Sequence, residues 1–158
     1  MRMEDQYDII TMLGSGSYGD IFKAKDKTSG KIVALKRIKS ILKSEEGFPR
    51  TALREITSLR CLKGNKYIIN LDSVVTTEDK DIYLIFDYCE YDLHGLLSSN
   101  SQIPYLHILS YIYQALEGLK SIHEHFLHRD IKPDNIFIDE YDHIKLADFG
   151  LSKSFETS

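Results

Sequence analysis

The sequence predicts an α+β fold: a strand-rich N-terminal part that carries one main helix, a short connector, and a helix-led remainder. Three observations predict it. Alternating extended runs flank the glycine-rich segment Gly14-Ser15-Gly16-Ser17-Tyr18-Gly19, and no helix follows it directly. One amphipathic pattern, Thr51 to Leu62, interrupts the strands. After Cys89, apolar residues recur every three or four positions over a long segment.

Residues Tyr7 to Lys25 form two short extended runs around the glycine turn, and Asp26-Lys27-Thr28-Ser29-Gly30 is a second turn. Lys31 to Ile38 alternates again, with Ile32, Ala34 and Lys36 on one face and Val33, Leu35 and Arg37 on the other. Pro49 can open a helix, because its missing N–H is not needed there. Ala52, Leu53, Ile56, Leu59 and Leu62 then follow at helical spacing, and Gly64-Asn65 closes the helix. Ile68 to Val75 and Asp81 to Tyr88 read as two strands, the second apolar enough to be central. Pro104 precedes the long helix marked by Leu106, Leu109, Ile112, Leu116, Leu119 and Ile122. Short strands are expected at Ile136 to Ile138 and Ile144 to Leu146.

The 158 residues are 42% hydrophobic and 28% charged, enough to bury a real core. A net charge of −4 supplies no global basic field for nucleic acid. Lys31, Lys36, Arg37, Lys39 and Lys43 cluster locally; Lys36 apart, they read as a solvated strand face or a phosphate-facing patch. Cys61 and Cys89 are the only cysteines and lie far apart, which points away from a disulfide framework and fits a reducing compartment. No stretch approaches the roughly 18 apolar residues of a membrane span, and Met1-Arg2-Met3-Glu4-Asp5 has no apolar signal core. Neither nucleic acid nor membrane is an expected partner.

The chemistry-bearing motifs come in order. The G-x-G-x-x-G letters also serve dinucleotide-binding folds, but there the loop runs straight into a helix. Here Asp20-Ile21-Phe22 continues as strand, which favours a loop whose backbone N–H groups approach phosphate oxygens. Val33-Ala34-Leu35-Lys36 puts a fixed cation on the next strand, as charge on a transferred phosphoryl group requires. Glu55 sits mid-helix on the face of Leu59, from which its carboxylate could reach Lys36. His128-Arg129-Asp130-Ile131-Lys132-Pro133-Asp134-Asn135 and Asp148-Phe149-Gly150 are far more specific. Asp130 can take a hydroxyl proton. Asn135 and Asp148 offer hard oxygen ligands to Mg²⁺. Lys132 can neutralise a γ-phosphate. His123, His125 and His128 have no zinc spacing and read as a histidine-capped helix end.

In these motifs the chain resembles the eukaryotic protein kinases, along essentially its whole length. The resemblance implies a protein-kinase-like fold: an N-terminal β-rich lobe at residues 1–86, a hinge at 87–92, and an incomplete helical C-terminal lobe at 93–158. It implies ATP and Mg²⁺ as cofactors. Lys36, Glu55, Asp130 and Lys132 would be catalytic, and Asn135 and Asp148 metal ligands. Leu13, Gly14, Gly16, Gly19 and Ile21 would lie over ATP, Ala34 and Phe137 above and below adenine. Phe137 departs from the usual leucine, although an aromatic floor can still pack against a base. Phe86 would be the gatekeeper, with Asp87 and Cys89 contacting adenine through their backbone.

Lys132 is similar to the serine/threonine type. Gly47-Phe48-Pro49-Arg50-Thr51-Ala52-Leu53-Arg54-Glu55-Ile56 resembles the cyclin-contacting helix of the cyclin-dependent kinases. Glu46-Gly47-Phe48-Pro49 and the connector Phe86 to Leu93, followed by Gly95-Leu96-Leu97, resemble that family's transcriptional branch. The resemblance thus implies a cyclin partner, protein substrates phosphorylated before proline (the tail of RNA polymerase II among them), and a nuclear location, with the cytoplasm as a second one. Arg54, Arg129 and Lys153 match the basic cluster that receives the activation-loop phosphate, with lysine where many relatives have arginine. Phosphorylation of Ser17 or Tyr18 would repel the ATP phosphates. Only Leu151 to Ser158 follow Gly150, so the expected domain is truncated after D-F-G, without the A-P-E segment. The deeper face of the long helix is expected to be exposed. The alternative function is a non-catalytic fragment that binds cyclin and ATP.

Overall fold

The computed structural model describes residues 3–16, 19–38, 49–78, 81–99 and 102–155. The sequence readings at Ser17, Tyr18, Lys39, Lys43 and Glu46 to Phe48 lie outside the described residues. The described residues form two compact units, Met1–Pro49 with Leu71–Tyr88, and Arg50–Asn70 with Cys89–Ser158.

The first unit opens with a short helix, α1 (Met3–Gln6), and continues as strands β1 (Tyr7–Gly16), β2 (Gly19–Asp26), β3 (Ile32–Ile38), β4 (Leu71–Thr76) and β5 (Ile82–Asp87). They form one antiparallel sheet in the order β1-β2-β3-β5-β4, so the apolar β5 has a neighbour on each side, as its composition requires. Period-two alternation divides the sheet into two faces. One carries Ala24, Val33, Leu35 and Ile85, which pack with Met3 and Tyr7 into a buried core. The other carries Ile21, Ala34, Lys36 and Leu84, paired Ile21↔Lys36 and Lys36↔Leu84.

The second unit holds α2 (Arg50–Cys61), β6 (Tyr91–Asp92), α3 (Leu93–Ser98), α4 (Tyr105–Ile122), β7 (Phe126–Leu127), β8 (Ile136–Ile138), β9 (Ile144–Leu146) and β10 (Lys153–Ser154). In α2 the i, i+3, i+4 spacing buries Ala52, Glu55, Ile56, Ser58 and Leu59. Leu53 falls off this face and is exposed. Asp92 caps α3, its carboxylate accepting from the Gly95 N–H at 2.6 Å.

The strand expected from Ile68 begins only at Leu71. Ile68 instead bridges to Leu146 in parallel, the Ile69 N–H donates to the Leu146 carbonyl at 3.0 Å, and the Leu146 N–H donates to the Tyr67 carbonyl at 2.9 Å. Burial of Ile68 and Ile69 is achieved beside β9, a long-range contact that outranks local β-propensity.

Helix α4 buries one polar, one small and one apolar residue, Gln114, Gly118 and Ile122. Gln114 is buried and accepts the Ile144 N–H at 2.9 Å through Oε1. A Cβ on Gly118 would lie 2.9 Å from Leu146 Cδ1 and 3.2 Å from Tyr67 Cβ, so a larger residue would make these side chains shift. Leu106, Leu109, Ile112 and Leu116 are exposed, as expected for the deeper face of this helix. No helix among the described residues is long and apolar enough to cross a membrane.

Candidate active site

The first unit gathers the nucleotide-side candidates on one sheet face. Register pairs Gly14 with Ile21, Ile21 with Lys36, and Ala34 with Phe86. Gly14, Ile21, Ala34, Lys36 and Phe86 therefore occupy neighbouring positions across four strands. Leu13 lies at a register shift between Met12 and Gly14 and is exposed. Gly16 pairs with Gly19 at the end of the hairpin. Gly19 has φ 131°, and a Cβ there would sit 1.9 Å from the Arg37 carbonyl oxygen, so the loop root lies directly on β3. Asp87 ends β5 on the exposed side. Beside it the Lys23 ammonium lies 4.2 Å from the centroid of the Tyr88 ring.

The second unit holds Glu55, Cys89, Asp130, Lys132, Asn135, Phe137 and Asp148. Cys89 follows β5 and is half-buried, Phe137 pairs with Lys145 in β8–β9, and Glu55 is buried within α2. The catalytic-loop motif forms a polar knot around His128, which is 2% exposed. Its Nε2–H donates to the Ala147 carbonyl at 3.0 Å, and its Nδ1 accepts the Asp130 backbone N–H at 3.2 Å. The ring stands 4.7 Å from that of the fully buried Phe149. One neutral tautomer satisfies both bonds. Burial holds the His128 pKa below the usual histidine value, outweighing the Ala147 bond that favours the cation.

Asp130 is fixed from two sides. The Asn135 Nδ2 donates to the Asp130 main-chain oxygen and to its Oδ2, both at 2.9 Å. The Lys132 ammonium lies 3.2 Å from the same Oδ2, and this bond raises the lysine pKa. Oδ1 makes neither contact. Arg129 (φ 70°) and Asp148 (φ 61°) adopt left-handed backbone, which for such residues costs on the order of 1–3 kcal/mol and persists only where the surroundings enforce it. For Arg129 the enforcing bond runs from Nε to the Leu151 carbonyl at 2.7 Å. For Asp148 the Gly150 N–H reaches Oδ1 at 3.4 Å, and the adjacent Ala147 N–H donates to the Asn135 carbonyl at 2.9 Å.

The donor chemistry fits Mg²⁺. The Asn135 amide nitrogen is used twice on Asp130, which leaves the amide oxygen as the atom that could coordinate, and Asp148 adds a carboxylate. A site with few protein oxygens suits an ion that keeps several waters. Of the three histidines, His123 caps α4, His125 meets Phe126 edge-on, and His128 is engaged at both nitrogens.

A second group converges without any sequence proximity. Leu53, Arg54, Phe126, Arg129, Ser152 and Lys153 line an open cleft of about 490 Å³. Beneath it the buried Ser58 and Ser152 hydroxyls bond at 2.8 Å, tying α2 to the segment after Gly150. Pattern reading alone had no signal for this serine pair, nor for the Ala147 bond that sets the His128 tautomer. Both depend on residues brought together from distant parts of the chain.

Comparison with known proteins agrees with this geometry. The chain is 39% identical over 154 residues to the cell division control protein 2 homolog 3 of Trypanosoma brucei brucei, an alignment covering 96% of this chain and 49% of that protein. It thus spans about half the length of that curated relative. The protein kinase domain model matches residues 7–158, nearly the whole sequence, and on that match the chain belongs to the protein kinase family.

Proposed function

We propose that the protein is an ATP-dependent serine/threonine kinase of the cyclin-dependent type. The observation that carries this reading is the Asp130 carboxylate, held by Asn135 and Lys132 with one oxygen turned away from both. In the proposed reaction Asp130 accepts the proton of a substrate hydroxyl as that oxygen attacks the γ-phosphorus of ATP. The bond to the β–γ bridging oxygen breaks and ADP leaves. Lys36 and Lys132 supply positive charge to the phosphates, and the glycine-rich loop supplies backbone N–H donors. Mg²⁺, when bound by Asn135 and Asp148, supplies neutralisation of the phosphate charge.

The finer reading rests on sequence likeness. Lys132 supports serine/threonine substrates; the α2 sequence and the likeness to a cell division control protein 2 homolog support a cyclin partner. The hinge sequence supports the transcriptional branch, with sites before proline in the RNA polymerase II tail and work in the nucleus. Arg54, Arg129 and Lys153 would receive an activation-segment phosphate in their shared cleft. A second reading is a cyclin-binding module without transfer activity, favoured by the exposure of Leu53 on α2; cyclin capture by an Asp130→Asn chain tests it. The decisive assay is Mg²⁺-dependent transfer of labelled phosphate from ATP to a Ser-Pro peptide, using the longest natural form of the protein with cyclin. Transfer that Asp130→Asn abolishes supports the kinase reading; none with Asp130 intact sinks it.

A further inference from the structure

The core face of the first unit's sheet ends in charge. Along β2, Asp20, Phe22 and Ala24 share one face, and their register partners on β3 are Arg37, Leu35 and Val33. Phe22, Ala24, Leu35 and Val33 belong to the apolar core. Asp20 continues that row yet carries a carboxylate, only 7% exposed. A buried carboxylate is costly unless it is bonded and paired. Here Ser15, its register partner on β1, donates its hydroxyl hydrogen to Asp20 Oδ1 at 2.6 Å. On the other side stands Arg37, whose Nε donates to the buried Asp81 at 2.8 Å. The Arg37 pKa is raised chiefly by that Asp81 bond, with the Asp20 charge contributing. Ser15, Asp20, Arg37 and Tyr83 thus form one cross-strand row over β1, β2, β3 and β5.

The row sits where register is least determined. The β1–β2 ladder shifts twice, between Ile9 and Thr11 and between Met12 and Gly14. Beyond the second shift come Gly14, Gly16 and Gly19, which have no side chains to fix pairing, and glycine-rich strands slip readily. Ser15 and Asp20 supply a side-chain hydrogen bond across this hairpin beyond that shift.

We propose that Asp20 is a positioning residue for the glycine-rich loop: its buried carboxylate, bonded by Ser15 across the hairpin and set against Arg37 of β3, fixes the register that the loop's phosphate-binding backbone needs. The proposal rests on the kinase reading for its purpose. It assigns the Ser15–Asp20 bond an effect on phosphate binding that a general stabilising contact would not have.

The test compares wild type, Ser15→Ala, Ser15→Thr and Asp20→Asn. Ser15 is exposed, so the Ser15 variants keep the core intact even if the Asp20 variant does not fold. Titration with Mg²⁺-ATP and, separately, with adenosine reads the phosphate-specific part. Ser15→Ala should weaken ATP binding roughly five- to tenfold, the worth of one hydrogen bond of this kind, while adenosine affinity changes less than about twofold. Ser15→Thr, which keeps the hydroxyl, should restore ATP affinity. Amide hydrogen exchange without nucleotide should quicken at residues 13–16 and 19–21 in Ser15→Ala and stay unchanged in β4 and β5. Equal weakening of ATP and adenosine, or unchanged exchange at the loop root, overturns the proposal. A wild-type chain that binds neither ligand overturns the kinase reading and the purpose assigned to Asp20 with it. The exchange measurement uses no nucleotide, so it separates that failure from a failure of the Ser15–Asp20 bond.

Discussion

The glycine-rich loop and the catalytic loop are built on opposite principles. The first is a backbone device: glycines on a strand hairpin, exposed neighbours, and a side-chain bond at its root. The second is a side-chain device: His128, Asn135 and Lys132 converge on Asp130, and beside them the left-handed Arg129 and Asp148 are held by side-chain bonds of their own. A cradle for phosphate oxygens needs N–H groups and freedom from side chains, which glycine gives at low cost. A general base needs one oxygen held in one place, and only a set of satisfied polar contacts does that.

The largest expected effect separates the two devices by function. Asp130→Asn should lower phosphoryl transfer by about 10²–10⁴, the range for losing a general base, while ATP affinity stays close to wild type. Single-turnover transfer and equilibrium ATP binding, measured on the same preparation, check it. If binding falls as steeply as transfer, the division of labour between the loops is wrong.

Next comes the knot itself. His128→Ala removes a buried ring, its contact with Phe149, and two hydrogen bonds. It should destabilise the fold by about 3 kcal/mol, from the lost packing and two stranded backbone groups. A urea unfolding free energy within about 0.5 kcal/mol of wild type would show that the catalytic loop is not held by side chains.

The two devices also differ in how far they could be read beforehand. Alternation disclosed β3 with the right faces, and an apolar run disclosed β5 as a central strand, because both signals need only nearest neighbours. The catalytic motif disclosed Asp130 and Asn135 but not the buried His128–Ala147 bond, which joins residues 19 positions apart. Ile68 and Ile69 read as strand, yet they are spent beside Leu146. Asp20 reads only as the start of a strand, and register shows it buried beside Arg37. What stayed hidden in each case was a contact whose partners are distant in sequence.

A smaller effect distinguishes glycines that look alike in the sequence. A Cβ on Gly14 meets nothing within 4 Å, whereas on Gly19 it meets the Arg37 carbonyl at 1.9 Å with φ at 131°. Gly19→Ala should cost roughly 1–3 kcal/mol, the range for a forced unfavourable backbone, and Gly14→Ala less than about 0.5 kcal/mol, as for an open surface site. Thermal unfolding of the pair decides it, and equal losses would mean that the hairpin rides free of β3.

The smallest expected effect is a pH dependence confined to the catalytic loop. The His128 pKa is lowered in the fold, mainly by burial; the Ala147 bond and the charges of Asp148 and Asp130 pull it upward, and His123 opposes them. The unfolded chain takes up a proton on this histidine near pH 6.5, while the folded chain resists until a lower pH. Stability rises with pH wherever the unfolded state binds more protons. The contribution from His128 is therefore fully present above about pH 6.5 and is lost progressively as the pH falls toward the folded pKa. In His128→Gln this source is absent, so the stability gap between wild type and variant should narrow on acidification from neutral pH. Urea unfolding of both proteins across that window reads the gap directly. A gap that stays constant or widens would mean that the folded chain protonates His128 as readily as the unfolded one, giving up the Asp130 N–H bond to Nδ1 without cost, and the catalytic loop would then be as tolerant as the glycine hairpin.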